Sequence, residues 1–346
     1  MSEGNQFNVY EPHEWKHRTV VAGVEWKNPV GTASGTFQLA ACRWFYDVSQ
    51  LGAISTKGVS PVPWEGNPGP RTAESPAGMV NAVGLQNPGV DHYLVDELPK
   101  LKELGATVVT NVAGHSDDDY AQVVAKLADS PADMLEINVS CPNVSHGGMS
   151  VGTDPVALSR LIGHLRKLTS KPMIVKLSPN VTDIAGIARA AVESGADALS
   201  LINTLVGMRI DIRTGEPIIS NRTGGVSGPA VFPVALGCVW RVRQALPYIP
   251  IIGIGGIDSG EKALEFLYAG ANAVEVGAAA LYDPTAPLRV ARELDDLLDS
   301  LQRASGRPMR DWAERWLEHS GMTMIEAKAD TDEDRKSTRL NSSHQE

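Results

Sequence analysis

Ile251-Ile252-Gly253-Ile254-Gly255-Gly256-Ile257, then Ser259 to Tyr268, then Gly270-Ala271 and Ala273-Val274-Glu275-Val276-Gly277-Ala278-Ala279, is the stretch whose reading decides the fold. Its first block is short, apolar and ends in glycines, as a strand buried on both faces should. Ser259 to Tyr268 places apolar residues three and four apart behind a serine suited to cap a helix. Gly270 then stands where a helix ends in a left-handed glycine and turns into the next strand. Together these pieces make one strand–helix–strand unit of a parallel sheet.

The same unit recurs upstream. Gly-Ala precedes an apolar run at Gly52-Ala53, Gly105-Ala106 and Gly195-Ala196 as well. Strands are expected at Ala53–Lys57, Thr107–Val112, Met134–Val139, Met173–Leu177, Ala198–Asn203, Ile251–Gly255 and Ala273–Gly277. Helices are expected at Asp119–Ala128, Asp154–Leu168, Asp183–Glu193 and Ser259–Tyr268, each with Asp or Ser near its start. So many alternating units favour closure over an open sheet. The expected fold is α/β, a (β/α)8 TIM barrel with extended loops at the C-terminal face of the strands. Two segments break the rhythm: Trp64 to Gly89, rich in Pro and Gly, and Leu205 to Pro229, which carries Arg209, Arg213 and Arg222. Both follow strands and are expected over the barrel mouth, where long loops bind or cover ligands. Residues 1–326 are read as a single barrel domain. Residues 327–346, almost all charge from Asp330 to Lys336 and polar thereafter, are read as a disordered or non-native tail.

With 346 residues the chain holds a barrel of about 250 residues plus extensions. Its net charge of −10 opposes nucleic acid or an anionic membrane as main partner. Met1 to Glu14 is polar, without a signal-peptide core, and no apolar run approaches the roughly 18 residues of a spanning helix. The three cysteines, Cys42, Cys141 and Cys238, lie far apart with no CxxC pair. This excludes a local zinc or iron–sulfur motif and fits reduced thiols in the cytoplasm.

Candidate site residues gather at the expected strand ends. Gly255-Gly256 and Gly277-Ala278 follow the last two strands, the usual phosphate grip of such barrels; the alternative is two tight turns. Gly255-Gly256 is not a Rossmann fingerprint, because the third glycine is missing. Lys57 and Lys176 end two strands, and a lysine inside a barrel mouth is costly unless paired. A cation there suits the N1–C2=O edge of a flavin, where reduction places negative charge. Asn81, Asn111, Asn138, Asn143 and Asn203 lie at or just beyond strand ends. Singly each reads as a turn or cap residue; together they make a neutral hydrogen-bonding cage for a planar, imide-like ligand. Cys141, in Glu136-Ile137-Asn138-Val139-Ser140-Cys141-Pro142-Asn143, is either a small buried hydrophobe or a base acting through its thiolate. Among the histidines that follow strand ends, His115 and His146 are alternative bases, whereas His164 falls within a helix. No metal is assigned.

These motifs resemble class 1 dihydroorotate dehydrogenase. The resemblance is carried by Asn138-Val139-Ser140-Cys141-Pro142-Asn143, Ser55-Thr56-Lys57-Gly58, Asn81-Ala82-Val83-Gly84-Leu85, Lys176 and Ile254-Gly255-Gly256-Ile257, and covers roughly residues 18–305. His146-Gly147-Gly148 is similar to class 1B, the catalytic subunit of the NAD-dependent enzyme. The membrane-bound class 2 enzymes carry a serine base. The resemblance implies an FMN barrel oxidising (S)-dihydroorotate to orotate in pyrimidine synthesis, with Cys141 removing the C5 proton while hydride passes to the flavin. Lys57, Asn81, Ala82, Val83, Gly84, Leu85, Asn138, Asn143, Asn203 and Thr204 would hold the substrate. Ser34, Lys57, Gly58, Asn111, Asn138, Lys176, Ile202, Gly228, Gly255, Gly256, Gly277 and Ala278 would hold FMN. Near Ser34 the sequence departs from the family, with Gln38-Leu39 where a glycine is common. Class 1B also implies a partner subunit carrying FAD and a 2Fe–2S cluster, arranged as a dimer of heterodimers. The rival readings are the fumarate-reducing class 1A homodimer, a dihydrouridine synthase acting on tRNA, a flavin-free isomerase or aldolase barrel, and a non-catalytic scaffold.

Overall fold

The computed structural model describes residues 10–139 and 151–306. Eight parallel strands close into a barrel. They are β1 Val30–Thr32, β2 Ala53–Ser55, β3 Val108–Val112, β4 Met134–Asn138, β5 Met173–Leu177, β6 Ala198–Leu201, β7 Ile251–Ile254 and β8 Ala273–Val276. They follow one another around the barrel in chain order, and β8 returns to β1 with Val274 opposite Val30. Around them lie helices α1 Leu39–Cys42, α2 Leu98–Glu103, α3 Asp117–Leu127, α4 Pro155–Leu165, α5 Ile184–Glu193, α6 Phe232–Ala245, α7 Gly260–Tyr268 and α8 Ala286–Ser305. The expected strands recur with ends moved by two residues at most.

Local chemistry sets the helix boundaries. Ser116 and Asp119 form a capping box at the start of α3, and Asp154, Asp183 and Ser259 accept backbone N–H bonds at the starts of α4, α5 and α7. Gly105, Gly195 and Gly270 close α2, α5 and α7 at φ +76°, +113° and +103°. In each case the following alanine N–H reaches back five residues, Ala106 to Leu101, Ala196 to Ala191 and Ala271 to Phe266. That is a Schellman close repeated three times, and it explains the Gly-Ala recurrence.

The barrel wall separates two apolar clusters. The larger packs strands against helices. The smaller lies inside, where Trp26 is fully buried among Ala53, Val109, Met134, Ile174, Ala198 and Ala273. Trp26 comes from a hairpin of Thr19–Val21 and Val24–Trp26. Above this apolar floor, period-two alternation points Ser55, Asn111, Glu136, Lys176, Ser200 and Glu275 inward, all buried.

The two long segments hold more order than their composition suggests. Thr72–Ser75, Gly78–Asn81, Thr223–Ser227 and Leu205–Met208 form a four-stranded antiparallel sheet, joining the two segments through Asn81 opposite Gly225. Glycine makes the approach possible: a Cβ on Gly224 would lie 2.5 Å from the Asn81 carbonyl oxygen. The same glycines hide these strands from sequence reading, since glycine weakens any strand pattern.

At the barrel's edge the chain start is tied to its last described helix. His13 Nε2 and His17 Nδ1 lie 3.0 and 2.8 Å from the carboxylate of the buried Asp295 in α8, which also accepts the His17 backbone N–H at 3.1 Å. Burial opposes ionisation of Asp295, but the hydrogen bonds from His17 and His13 outweigh it and hold the carboxyl below its ordinary value. The stability this clasp contributes is therefore present above the ordinary carboxylate pKa and is lost as pH falls through the lowered one. Asp295→Asn should lower the unfolding free energy by about 1–3 kcal/mol at neutral pH and flatten the acid limb of the stability curve. Urea denaturation across pH checks this; an unchanged midpoint and acid limb would count against the clasp.

Candidate active site

The candidate residues converge on the carboxyl ends of the strands. At β8, a Cβ on Gly277 would lie 3.3 Å from the Cβ of Ala33, next to Ser34. Beside it, a Cβ on Gly35 would lie 3.7 Å from the Lys57 Nζ, so the β1 loop and the end of β2 share one space. Gly58 leaves room for Asn111, whose Oδ1 a Cβ there would meet at 2.7 Å. Across the mouth, Asn203 Nδ2 donates to Asn138 Oδ1 at 3.1 Å, and the Asn203 Oδ1 accepts the Thr204 backbone N–H at 2.8 Å. Gly255, at φ +133°, lies near Ile202, and Gly256, at φ +72°, lies near the Gly228 carbonyl. These residues thus lie along the carboxyl-terminal rim of the barrel.

The segment Asn81 to Leu85 is fixed from several sides. Asn81 Nδ2 donates to the Gly225 carbonyl at 3.2 Å, and Asn67 binds the Ala82 and Val83 carbonyls through its side chain and backbone. Gly84 takes φ +77°, and a Cβ there would meet the Asn67 backbone nitrogen at 2.6 Å, so this turn demands glycine. The segment borders a cavity of about 440 Å³ lined by Trp64, Asn67, Gly84, His115 and Asn221. His115 stacks on Trp64 there, ring centroids 3.7 Å apart. His164 is exposed on α4. Cys141, Asn143 and His146 lie outside the described residues.

The two lysines sit in different surroundings. Lys57 is half-buried, and burial lowers its pKa; among the described residues no carboxylate pairs with it. Lys176 is buried, with Nζ 3.5 Å from Glu136 Oε2. Glu136 is fully enclosed and well served: it accepts Ser200 Oγ at 2.7 Å and Asn111 Nδ2 at 2.5 Å besides facing Lys176. A buried carboxylate is tolerated where donors and a cation meet it in this way. Among the described residues, Glu275, equally enclosed, receives only the Ser55 hydroxyl at 2.5 Å, and its Oε2 has no hydrogen-bond partner. Burial, then repulsion from Glu136, pushes its pKa up to about 8, against the opposing pull of Lys176. Sequence reading gave neither glutamate a role. Each is flanked by apolar residues within its strand, and that contradiction is the signal that marks them.

The sequence model of one family, dihydroorotate dehydrogenase, matches residues 17–298. The chain belongs to the dihydroorotate dehydrogenase family. Among its curated relatives is a protein of Alkaliphilus metalliredigens named dihydroorotate dehydrogenase B (NAD(+)), catalytic subunit, 50% identical over 280 residues, covering 81% of this chain and 92% of that one. Proteins of the same name from Geobacter sp. and Listeria monocytogenes are 50% and 49% identical, covering 92% and 93% of their lengths and 80% and 81% of this chain. The match spans all eight strands of the barrel. No described helix is long and apolar enough to cross a membrane.

The mouth suits the flavin that dihydroorotate dehydrogenase chemistry calls for. Among the described residues, the enclosed Asn111 Oδ1 has no hydrogen-bond partner and the Lys57 ammonium has no acidic one, and glycines keep Cβ atoms off the rim. Gly256→Ala should therefore cost about 1–3 kcal/mol of stability, since a side chain at φ +72° is strained and its Cβ would lie 2.7 Å from that of Phe232. Thermal unfolding reads this directly; an unaltered midpoint would mean that the loop yields freely.

Proposed function

We propose that this chain is the FMN-carrying catalytic subunit of a NAD-linked, cytoplasmic dihydroorotate dehydrogenase, oxidising (S)-dihydroorotate to orotate in pyrimidine synthesis. The observation that carries the reading is the rim itself: Lys57 and a set of uncharged amides, with Lys176 just beneath them, at the carboxyl ends of a barrel whose sequence belongs to this family. Relatives bearing the class B, NAD-linked name favour class 1B over the fumarate-dependent class.

In this reading Lys57, Asn138, Asn143, Asn203 and Thr204 grip the carboxylate and amide edge of the substrate, under the segment Asn81 to Leu85. The Asn138–Asn203 hydrogen bond supports this role by fixing both amides before substrate arrives. Cys141, as thiolate, takes the C5 proton while the C6 hydride departs, and the C5=C6 double bond of orotate forms. When bound, FMN supplies the two-electron acceptor for that hydride. Lys176 sits where a cation offsets the charge that arrives with it, and Gly228, Gly255, Gly256, Gly277 and Ala278 leave backbone space for the phosphate. A partner subunit with FAD and a 2Fe–2S cluster carries the electrons on to NAD, in a dimer of heterodimers. The described residues supply no cluster of metal ligands.

A free thiol with pKa about 8.5 is only a few per cent thiolate at neutral pH. Reduction by dihydroorotate should therefore accelerate with rising pH until Cys141 ionises. In rapid-mixing experiments, Cys141→Ala should slow flavin bleaching by about 10²–10⁴-fold without preventing orotate binding; bleaching at the wild-type rate would remove Cys141 from the mechanism. Steady-state assays then separate the acceptors. Turnover with NAD that requires the partner supports class 1B, whereas turnover of the lone chain with fumarate contradicts it.

A further inference from the structure

One layer of side chains below the rim, the barrel interior holds two carboxyl groups and one ammonium. Glu136, Lys176 and Glu275 come from β4, β5 and β8, and all are enclosed. Glu275 and Gly277 lie two residues apart on one strand direction, as do Glu136 and Asn138, and Ser55 and Lys57. The layer is therefore about 7 Å beneath the groups expected to hold the flavin ring. At that depth, in an interior that water does not screen, a net charge acts strongly on whatever binds above it.

The hydrogen bonds divide the two acids. Glu136 has two donors and faces the Lys176 ammonium. Glu275 has one short bond from the Ser55 hydroxyl and a second oxygen with no hydrogen-bond partner among the described residues. An ionised carboxylate so poorly served in a dry interior is costly, and a neutral one is not. The other groups around Glu275 bear this out. β1 and β7 present only apolar, glycine or hydroxyl residues beside it, β2 presents Ser55 with Lys57 one layer higher, and the charges acting on it are Glu136 and Lys176.

We propose that Glu275 is a positioning residue for the redox reaction: as a neutral acid it leaves Glu136 as the one anion matched to Lys176, so the layer under the flavin carries no net charge, and on ionising it makes that layer negative and the flavin harder to reduce. The assignment of flavin to this rim rests on the proposed function above. The ionisation should fall near a pH of about 8.

Two measurements test this on the full-length chain. The first is infrared spectroscopy of the chain as purified, with or without flavin. It should show a carbonyl band of a buried neutral carboxyl at neutral pH that is missing from Glu275→Gln and fades on the alkaline side; a chain lacking that band at neutral pH overturns the proposal, whatever it binds. The second is the midpoint potential of FMN bound to the chain, followed against pH. Wild type should show an extra downward bend where Glu275 ionises. Glu275→Gln should match wild type on the acid side and lack the bend, and Glu136→Gln should move the bend to lower pH. Coincident curves for wild type and Glu275→Gln overturn the proposal. So does an offset between them that is equally large at every pH, which a purely structural role would give. Failure to take up FMN at all would instead overturn the proposed function, leaving the infrared result to judge Glu275.

Discussion

The Glu136–Lys176 pair, with Ser200 and Asn111 bound to the same carboxylate, is the constraint on which the mouth of the barrel depends. Eight strands leave room inside for only a few layers of side chains, and each layer is fixed by strand register. In register, Asn111 is opposite Glu136 and donates to it from the neighbouring strand, while Ser200, opposite Lys176, reaches the same carboxylate across β5. Buried charges are tolerated only when so matched. Given that match, the strand ends two residues higher are held rigidly enough to present Lys57, Asn138 and the rim glycines at defined places.

Below that layer the barrel is closed by apolar packing. The N-terminal hairpin brings Trp26 among the amino ends of the strands, and the His13–His17–Asp295 clasp fixes the segment that precedes it to α8. The molecule thus has a dry lower half that stabilises and an upper half that binds. The sheet built from the two long mouth segments belongs to the upper half, since it positions Asn81 and, through Asn67, the turn at Gly84.

Much of this was legible in the residues. Short apolar strands, capped helices and the Gly-Ala closes announced the barrel because each depends on local chemistry. β1 was not legible, for three residues with a central glycine show neither a run nor an alternation. α6 follows a glycine-rich stretch and carries Pro233 in its first turn, which reads as loop. α8 has a clear apolar stripe through Leu288, Ala291, Leu294 and Leu298, interrupted by the buried Asp295, whose partners lie about 280 residues away in sequence. The mouth sheet escaped because its strands pair across the chain through glycines. Of the site, the lysines, asparagines and glycine loops could be read from their places at strand ends. The glutamates beneath them could not be given a state, because that depends on partners brought in from four other strands.

The visible spectrum of the purified chain, recorded without oxygen before and after dihydroorotate is added, tests the flavin chemistry most directly. Flavin absorption should bleach on addition, with FMN as the group released on denaturation. A colourless chain able to take up no FMN, or a flavin spectrum that dihydroorotate leaves unchanged, would contradict it.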